Sequence, residues 1–145
     1  MNRKLKFLLG AMVIIIVGGV SVYLYAYKPH PNYEKLKAEY TLTSKSIYDD
    51  FKSNSKATAL KYNGKVIELN GKVSKIEDAD TLMTVVFAFS QGLFGDEGIR
   101  CTMLPDSKET FKLLKQGDNV DIKGLCQGFN ETDVIMEKCS FVKKP

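Results

Sequence analysis

The stretch that decides the fold runs from Lys65 to Ile76 and reads KVIELNGKVSKI. Apolar and polar side chains alternate along it, which is typical of a β-strand with one buried face. The alternation places Ile67, Leu69 and Val73 on the inward face. Gly71 predicts a bend or bulge, so we expect a curved first strand.

Four more strand-like segments and one helix follow this strand. A helix between the third and fourth strands is the order of the OB fold, a five-stranded Greek-key barrel. We therefore predict a mainly β domain of that class. The predicted elements are a turn at Glu77–Asp80, a strand at Thr81–Phe89, a loop at Ser90–Gly98, a strand at Ile99–Met103, a helix at Pro105–Lys115, a strand at Asn119–Gln127, a turn at Gly128–Asp133 and a strand at Val134–Val142.

Short helices are predicted ahead of the barrel. Thr43 is suited to cap a helix that begins at Ser44, and Asn63-Gly64 is a strong stop. Residues 44–63 are therefore interpreted as a helical segment and residues 64–145 as the barrel. We interpret residues 28–43 as a juxtamembrane linker whose apolar residues have helical spacing.

Residues 7–27 carry no charge and follow Arg3, Lys4 and Lys6. A bilayer core of about 30 Å needs ~20 apolar residues in a helix. Basic residues stay on the cytoplasmic side, so residues 1–6 are predicted to be cytoplasmic and the C-terminal domain to lie outside the cytoplasm. The pattern predicts a single-pass signal-anchor. A cleaved signal peptide is the alternative, and Lys28-Pro29-His30-Pro31 is expected to break the helix.

The charge balance changes once the anchor is set aside. Three of the 21 basic residues precede the uncharged run and all 17 acids follow it, which leaves 18 basic and 17 acidic residues. A domain that binds polyanions normally shows a basic stripe well beyond this balance.

Two strings resemble a known bacterial family. They are Lys61–Val73, which reads KYNGKVIELNGKV, and Gly117–Gly128, which reads GDNVDIKGLCQG. Both are similar to the tRNA_anti-like family of OB-fold proteins, and the similarity extends over residues 40–142. The resemblance implies a fold and not a particular ligand. This chain departs from lipid-anchored members because it carries an apolar helix and no lipobox cysteine.

Three cysteines in an exported domain suggest one disulfide and one odd thiol. The resemblance favours Cys126 with Cys139. A tight turn between the last two strands would, however, leave these residues ~13 Å out of register, because a strand rises about 3.3 Å per residue. Cys101 with Cys139 is the alternative, and three buried thiols are another. A catalytic cysteine is not expected, since His30 is the one histidine in the sequence.

The loops that flank an OB ligand face are predicted to be acidic here. They hold Glu77, Asp78, Asp80, Glu131 and Asp133, and no Lys or Arg lies between Lys75 and Arg100. Single-strand binding needs cations and exposed rings. Phe87 and Phe89 are interpreted as core residues, so the sequence predicts against a nucleic-acid partner.

The loop at Ser90–Gly98 holds Leu93 and Phe94 between glycines. Apolar side chains at an exposed tip often mark a contact with a partner. The alternative is that Phe94 folds back over the open end of the barrel.

We predict a noncatalytic interaction or accessory subunit, held in the membrane and bound to a membrane or periplasmic protein. Binding of nucleic acid or an oligosaccharide on the barrel face is the alternative, suggested by the fold alone. No enzyme and no cofactor is predicted, because the sequence shows no catalytic constellation. No metal site is predicted, because the cysteines and the histidine lack the spacing of a zinc site.

Overall fold

The computed structural model describes residues 2–27 and 31–142, and divides the chain into two compact units, residues 1–31 and 32–145. The first unit contains helix α1, Arg3–Ala26, with none of its residues buried. Its 24 residues span about 36 Å at 1.5 Å each. This helix is long and apolar enough to cross a membrane, a test that a signal sequence also passes. Of the expected helix break, residues 28–30, including His30, lie outside the described residues.

The second unit is a mainly β domain with three α-helices. Its core consists of apolar side chains from the strands together with the buried faces of the helices. The elements are β1 Tyr40–Thr43, α2 Ser44–Ser53, α3 Ser55–Tyr62, β2 Val66–Lys72, β3 Lys75–Ala79, β4 Leu82–Gly92, β5 Gly95–Met103, a 3₁₀ turn Pro105–Ser107, α4 Lys108–Leu113, β6 Asn119–Phe129 and β7 Val134–Phe141.

The sheet has seven strands in the order β1-β2-β6-β7-β5-β4-β3. The prediction of five strands is therefore wrong in number. One additional strand arises because the predicted first strand is interrupted at Val73-Ser74 and forms both β2 and β3. β2 pairs with β6, and β3 pairs with β4. The two halves of one bent strand thus lie on opposite sides of the sheet, with β3 at one end and β2 next to β1 at the other, as in an OB barrel.

Strand β1 is the other addition. It pairs with β2 in parallel, with Tyr40 opposite Ile67 and Thr43 opposite Asn70. The linker interpretation of residues 28–43 is wrong for Tyr40–Thr43, and helical spacing was a misleading signal there. Parallel pairing covers an edge of β2 that would otherwise expose unpaired backbone groups.

Gly71 permits the close packing at the bend. A Cβ atom there would lie 2.2 Å from Ser44 Oγ and 2.9 Å from the ring of Phe87. A side chain at this position would therefore collide with both α2 and β4. Just beyond the bend, Val73 is buried and its N–H donates to the carbonyl of Asp118 over 2.8 Å.

Helix α2 begins at Ser44 as predicted, and Thr43 Oγ1 accepts a hydrogen bond from the N–H of Ser46. Its buried face packs on the hairpin ends of two strands. Phe51 stacks on Phe129 of β6 at 5.5 Å between ring centroids, and Tyr48 meets Phe89 of β4 at 5.3 Å. The predicted helix at Pro105–Lys115 is shorter, and its buried anchor is Phe111.

The predicted loop at Ser90–Gly98 is mostly strand. β4 and β5 continue through it to a two-residue turn at Leu93-Phe94, with Gly92 paired to Gly95. Gly95 has φ +124°, a value that side-chain-bearing residues rarely adopt. The turn predicted at Glu77–Asp80 is likewise too long, because β3 continues to Ala79.

Candidate interaction surface

The face on which OB folds commonly bind ligands lies on the outer side of β3, β4 and β5. Lys75, Val86 and Arg100 are neighbours across these three strands. Val86 is buried although it lies outside the main core cluster, and its strand neighbours here are the long polar residues Lys75 and Arg100. This face therefore carries a layer of charged groups and not a platform of exposed rings.

The charged groups of this face pair with one another. Arg100 Nη1 donates to Glu77 Oε2 over 2.9 Å, and Arg100 Nε donates to Asp133 Oδ2 over 3.1 Å. Lys75 Nζ lies 2.8 Å from Glu77 Oε1. The hydrogen bonds from Lys75 and then Arg100 hold the pKa of Glu77 below its ordinary value. Glu77 and Asp133 were expected to be repulsive acids, but both are paired here, because Arg100 and Lys75 together balance their two negative charges.

Asp133 also supports the backbone. Its side chain is 10% exposed, and Oδ1 accepts a hydrogen bond from the N–H of buried Gly98 over 2.9 Å. Asn130 Oδ1 accepts from the N–H of Asp133 over 2.7 Å, which closes the turn before β7. The remaining predicted acids, Asp78, Asp80 and Glu131, are exposed.

The phenylalanines of β4 lie in or against the core, as predicted. Phe87 is fully buried, while Phe89 is partly buried against the core and packs on Tyr48. Neither presents an open ring on which a base or sugar could stack.

The tip of the β4–β5 hairpin has the opposite character. Leu93 and Phe94 are each 98% exposed, so Phe94 does not fold back over the barrel. Both side chains are apolar and adjacent, and glycines flank them on both sides. An exposed pair of this kind is a candidate for contact with an apolar partner surface.

The base of the hairpin is fixed to helix α2 by a single carboxylate. Glu97 Oε2 accepts hydrogen bonds from Lys52 Nζ over 3.0 Å, from Ser90 Oγ over 3.2 Å and from Tyr48 Oη over 3.3 Å. The bond from Lys52 is the largest cause of a lowered pKa at Glu97. Sequence reasoning missed this network, although Tyr48 and Lys52 are four residues apart on one side of a helix.

A pocket of about 130 Å³ joins the tip to the charged face. Its lining combines Phe94 with residues of both networks, so the hairpin and the turn before β7 form one continuous surface. The lining residues are Phe94, Gly95, Asp96, Glu97, Arg100, Thr132 and Asp133. Among the described residues, no group of three or more His, Cys, Asp or Glu side chains is arranged to hold a metal ion.

The three cysteines are buried free thiols. Cys126 lies opposite Met136, three positions from Cys139. Burial raises the pKa of Cys126 to about 11, which disfavours the reactive thiolate, and burial also raises the pKa of Cys139, with a smaller contribution from Cys101. A bridge between Cys126 and Cys139 stays a prediction, and so does the alternative bridge between Cys101 and Cys139.

A curved first strand, a helix between the third and fourth barrel strands and parallel pairing of β5 with β7 define an OB-fold domain. The sequence matches the tRNA_anti-like family over residues 1–141. The chain therefore belongs to this family.

Solved structures resemble the domain at low sequence identity. A lipoprotein of Klebsiella pneumoniae subsp. pneumoniae MGH 78578, provisionally described as nucleic acid-binding, is 14% identical with a TM-score of 0.53 over 71% of this chain and 91% of its own. An OBody bound to hen egg-white lysozyme is 16% identical, with a TM-score of 0.41 over 59% of this chain and 88% of its own.

Asparaginyl-tRNA synthetase from Pyrococcus horikoshii is 15% identical, with a TM-score of 0.37 over 59% of this chain and 20% of its own. A comparison with curated proteins finds no match. The resemblance to the lipoprotein supports the fold alone, since identity is low.

Proposed function

We propose that this protein is a noncatalytic interaction subunit, anchored in the bacterial inner membrane with its OB-fold domain in the periplasm. The address is supported by the uncharged run in α1, which follows Arg3, Lys4 and Lys6. Sequencing the N-terminus of the mature protein tests the anchor, because cleavage near Tyr27 would release the domain from the membrane.

The single observation that carries the proposed role is the exposure of Leu93 and Phe94, at 98% each. Burying such a side chain gains about 1.5 to 3 kcal/mol, so the pair could supply a hot spot for a protein partner. The hairpin base is already held to α2 by Glu97, and a preordered tip loses less entropy when it docks.

Nucleic-acid binding on the barrel face is the second candidate. The fold and the description of the Klebsiella lipoprotein suggest it. The arrangement around Arg100 counts against it, because this cation is paired with Glu77 and Asp133 and the phenylalanines of β4 are covered. A nucleic-acid ligand would have to break these ion pairs before it gained phosphate contacts.

The test compares complexes of the full-length chain extracted in a mild detergent. We expect the wild type to migrate with a stoichiometric partner and the L93S/F94S double variant to migrate without it. Leu60→Ser is the matched control, because Leu60 is 85% exposed on α3. Complexes of equal size from wild type and double variant would contradict the proposal.

A binding assay separates the second candidate. The same detergent-solubilised full-length protein is titrated into a fluorescently labelled single-stranded oligonucleotide. We expect no saturable change in anisotropy. Salt-sensitive binding that is lost in Arg100→Gln would replace the protein-interaction proposal with nucleic-acid binding.

A further inference from the structure

We infer that the partner is a different protein that presents an apolar slot for Leu93 and Phe94 and, beside the slot, a Lys or Arg side chain that enters the pocket under Phe94. This inference rests on the proposed function and specifies the chemistry of the partner. It follows from the charge of the pocket, its size and its position next to the tip.

The pocket favours a cation. Three carboxylates line it, from Asp96, Glu97 and Asp133, against the single guanidinium of Arg100. Asp133 is already engaged, since its two oxygens accept hydrogen bonds from Gly98 and Arg100. Glu97 is likewise paired, with Lys52 of α2. The negative charge that faces an incoming group therefore comes chiefly from Asp96, which is exposed.

The two acids of the hairpin, Asp96 and Glu97, can each accept further hydrogen bonds. The hydrogen bonds from α2 and Ser90 to Glu97 all fall on Oε2, which leaves Oε1 to accept another. Asp96 is exposed and accepts from Gln91 Nε2 through Oδ1 over 2.9 Å, and its second oxygen can accept from another donor. A carboxylate has about four lone-pair sites, and an ammonium or guanidinium group can use the remaining ones.

The size of the pocket suits the end of one side chain. Its volume is about 130 Å³, which accommodates an ammonium or guanidinium group. Phe94 is among its lining residues, so the pocket adjoins the apolar tip.

The same charges disfavour the bilayer as the occupant of the tip. Surfaces that insert apolar side chains at an anionic membrane usually surround them with Lys or Arg. The hairpin at Ser90–Gly98 contains Asp96 and Glu97 and no basic residue. Exposed Glu131 adds negative charge one residue before Thr132 of the pocket wall.

The experiment places a photo-reactive benzoylphenylalanine at position 94 of the full-length chain in living cells, with position 60 as the exposed control. We expect a protein adduct from position 94 alone, and a cross-linked partner segment that contains or adjoins Lys or Arg. Asp96→Lys should lower the adduct yield about tenfold and Asp96→Asn by less, because steering and pairing are both lost.

Asp49→Lys on α2 is the matched charge control and should leave the adduct yield unchanged. Equal unfolding temperatures for all variants exclude misfolding as the cause of a lower yield. A protein adduct whose yield is unchanged by Asp96→Lys overturns this inference but does not contradict the proposed function. An adduct with a second copy of this chain has the same consequence. Adducts with lipid, or none above the level of position 60, overturn both.

Discussion

Arg100 and Phe94 line the same pocket, but they belong to surfaces of opposite kinds. Around Arg100, each charge meets a counter-charge from the same domain: Glu77 on one side and Asp133 on the other. At Phe94 and Leu93, two apolar side chains are almost wholly exposed. The charges around Arg100 are paired within the domain, whereas the apolar side chains at the tip are exposed to solvent.

The difference shows where an OB barrel of this composition can gain energy from a partner. A ligand at the charged face would have to replace existing ion pairs, so most of its binding energy would be spent on that exchange. A partner at the tip replaces only water over apolar surface. The fold family alone would direct attention to the first surface, whereas the side chains direct it to the second.

The largest expected effect on stability comes from Asp133→Ala. The change leaves the buried N–H of Gly98 without its acceptor and Arg100 without one counter-charge, so we expect a loss of about 2 to 3 kcal/mol. Guanidinium unfolding of the full-length protein in detergent, followed by near-ultraviolet circular dichroism, measures it. Glu131→Gln in the same turn is the control, and equal losses for both variants would show that Asp133 has no special role.

The second prediction concerns Glu97 and pH. Because its folded-state pKa lies below the ordinary value of 4.5, Glu97 stabilises the fold above that pH, and the contribution disappears as the pH falls through the lowered pKa. The Glu97→Gln variant should therefore unfold at a lower temperature than wild type at pH 7. This difference in unfolding temperature should shrink below about pH 4.5. A thermal unfolding series from pH 7 to pH 3 tests this, and a difference that stays constant across the range would contradict it.

The smallest effect on stability is expected at the tip. The L93S/F94S double variant removes no contact within the domain, so its free energy of unfolding should lie within about 0.5 kcal/mol of wild type. The same guanidinium titration gives the value. A loss comparable to that of Asp133→Ala would mean that the tip is part of the fold and would undermine its role as a docking site.

Local patterns account for the parts of the fold that were predicted correctly. The alternation around Leu69, the cap at Thr43 and the stripe of Ile47, Tyr48 and Phe51 each depend on residues close together in the chain. They indicated barrel strands, a leading helix and the order of elements. The glycines beside Leu93 and Phe94 indicated an exposed tip for the same reason.

Long-range pairing accounts for the errors. β1 is a strand because Tyr40 meets Ile67, 27 positions later. Its residues, Tyr-Thr-Leu-Thr, favour a strand, but a run of four is too short to distinguish a strand from a linker without its partner. Ser90–Gly98 resembles a loop because the ends of a projecting hairpin are exposed on both sides and lose the alternation of a half-buried strand. Asp133 was expected to add to an acidic surface that repels nucleic acid. It is instead paired with Arg100, 33 positions earlier in the chain.

The sequence by itself determined the uncharged run that can cross a membrane, the family and the barrel class, because length, composition and short-range periodicity control these properties. Only the tertiary structure decided that Phe94 stays exposed at the tip, which acids are paired, that all three cysteines are buried, and that the hairpin and the turn before β7 share one pocket. Charge on a strand or loop can be read from a sequence, but its counter-charge depends on which distant strand lies beside it.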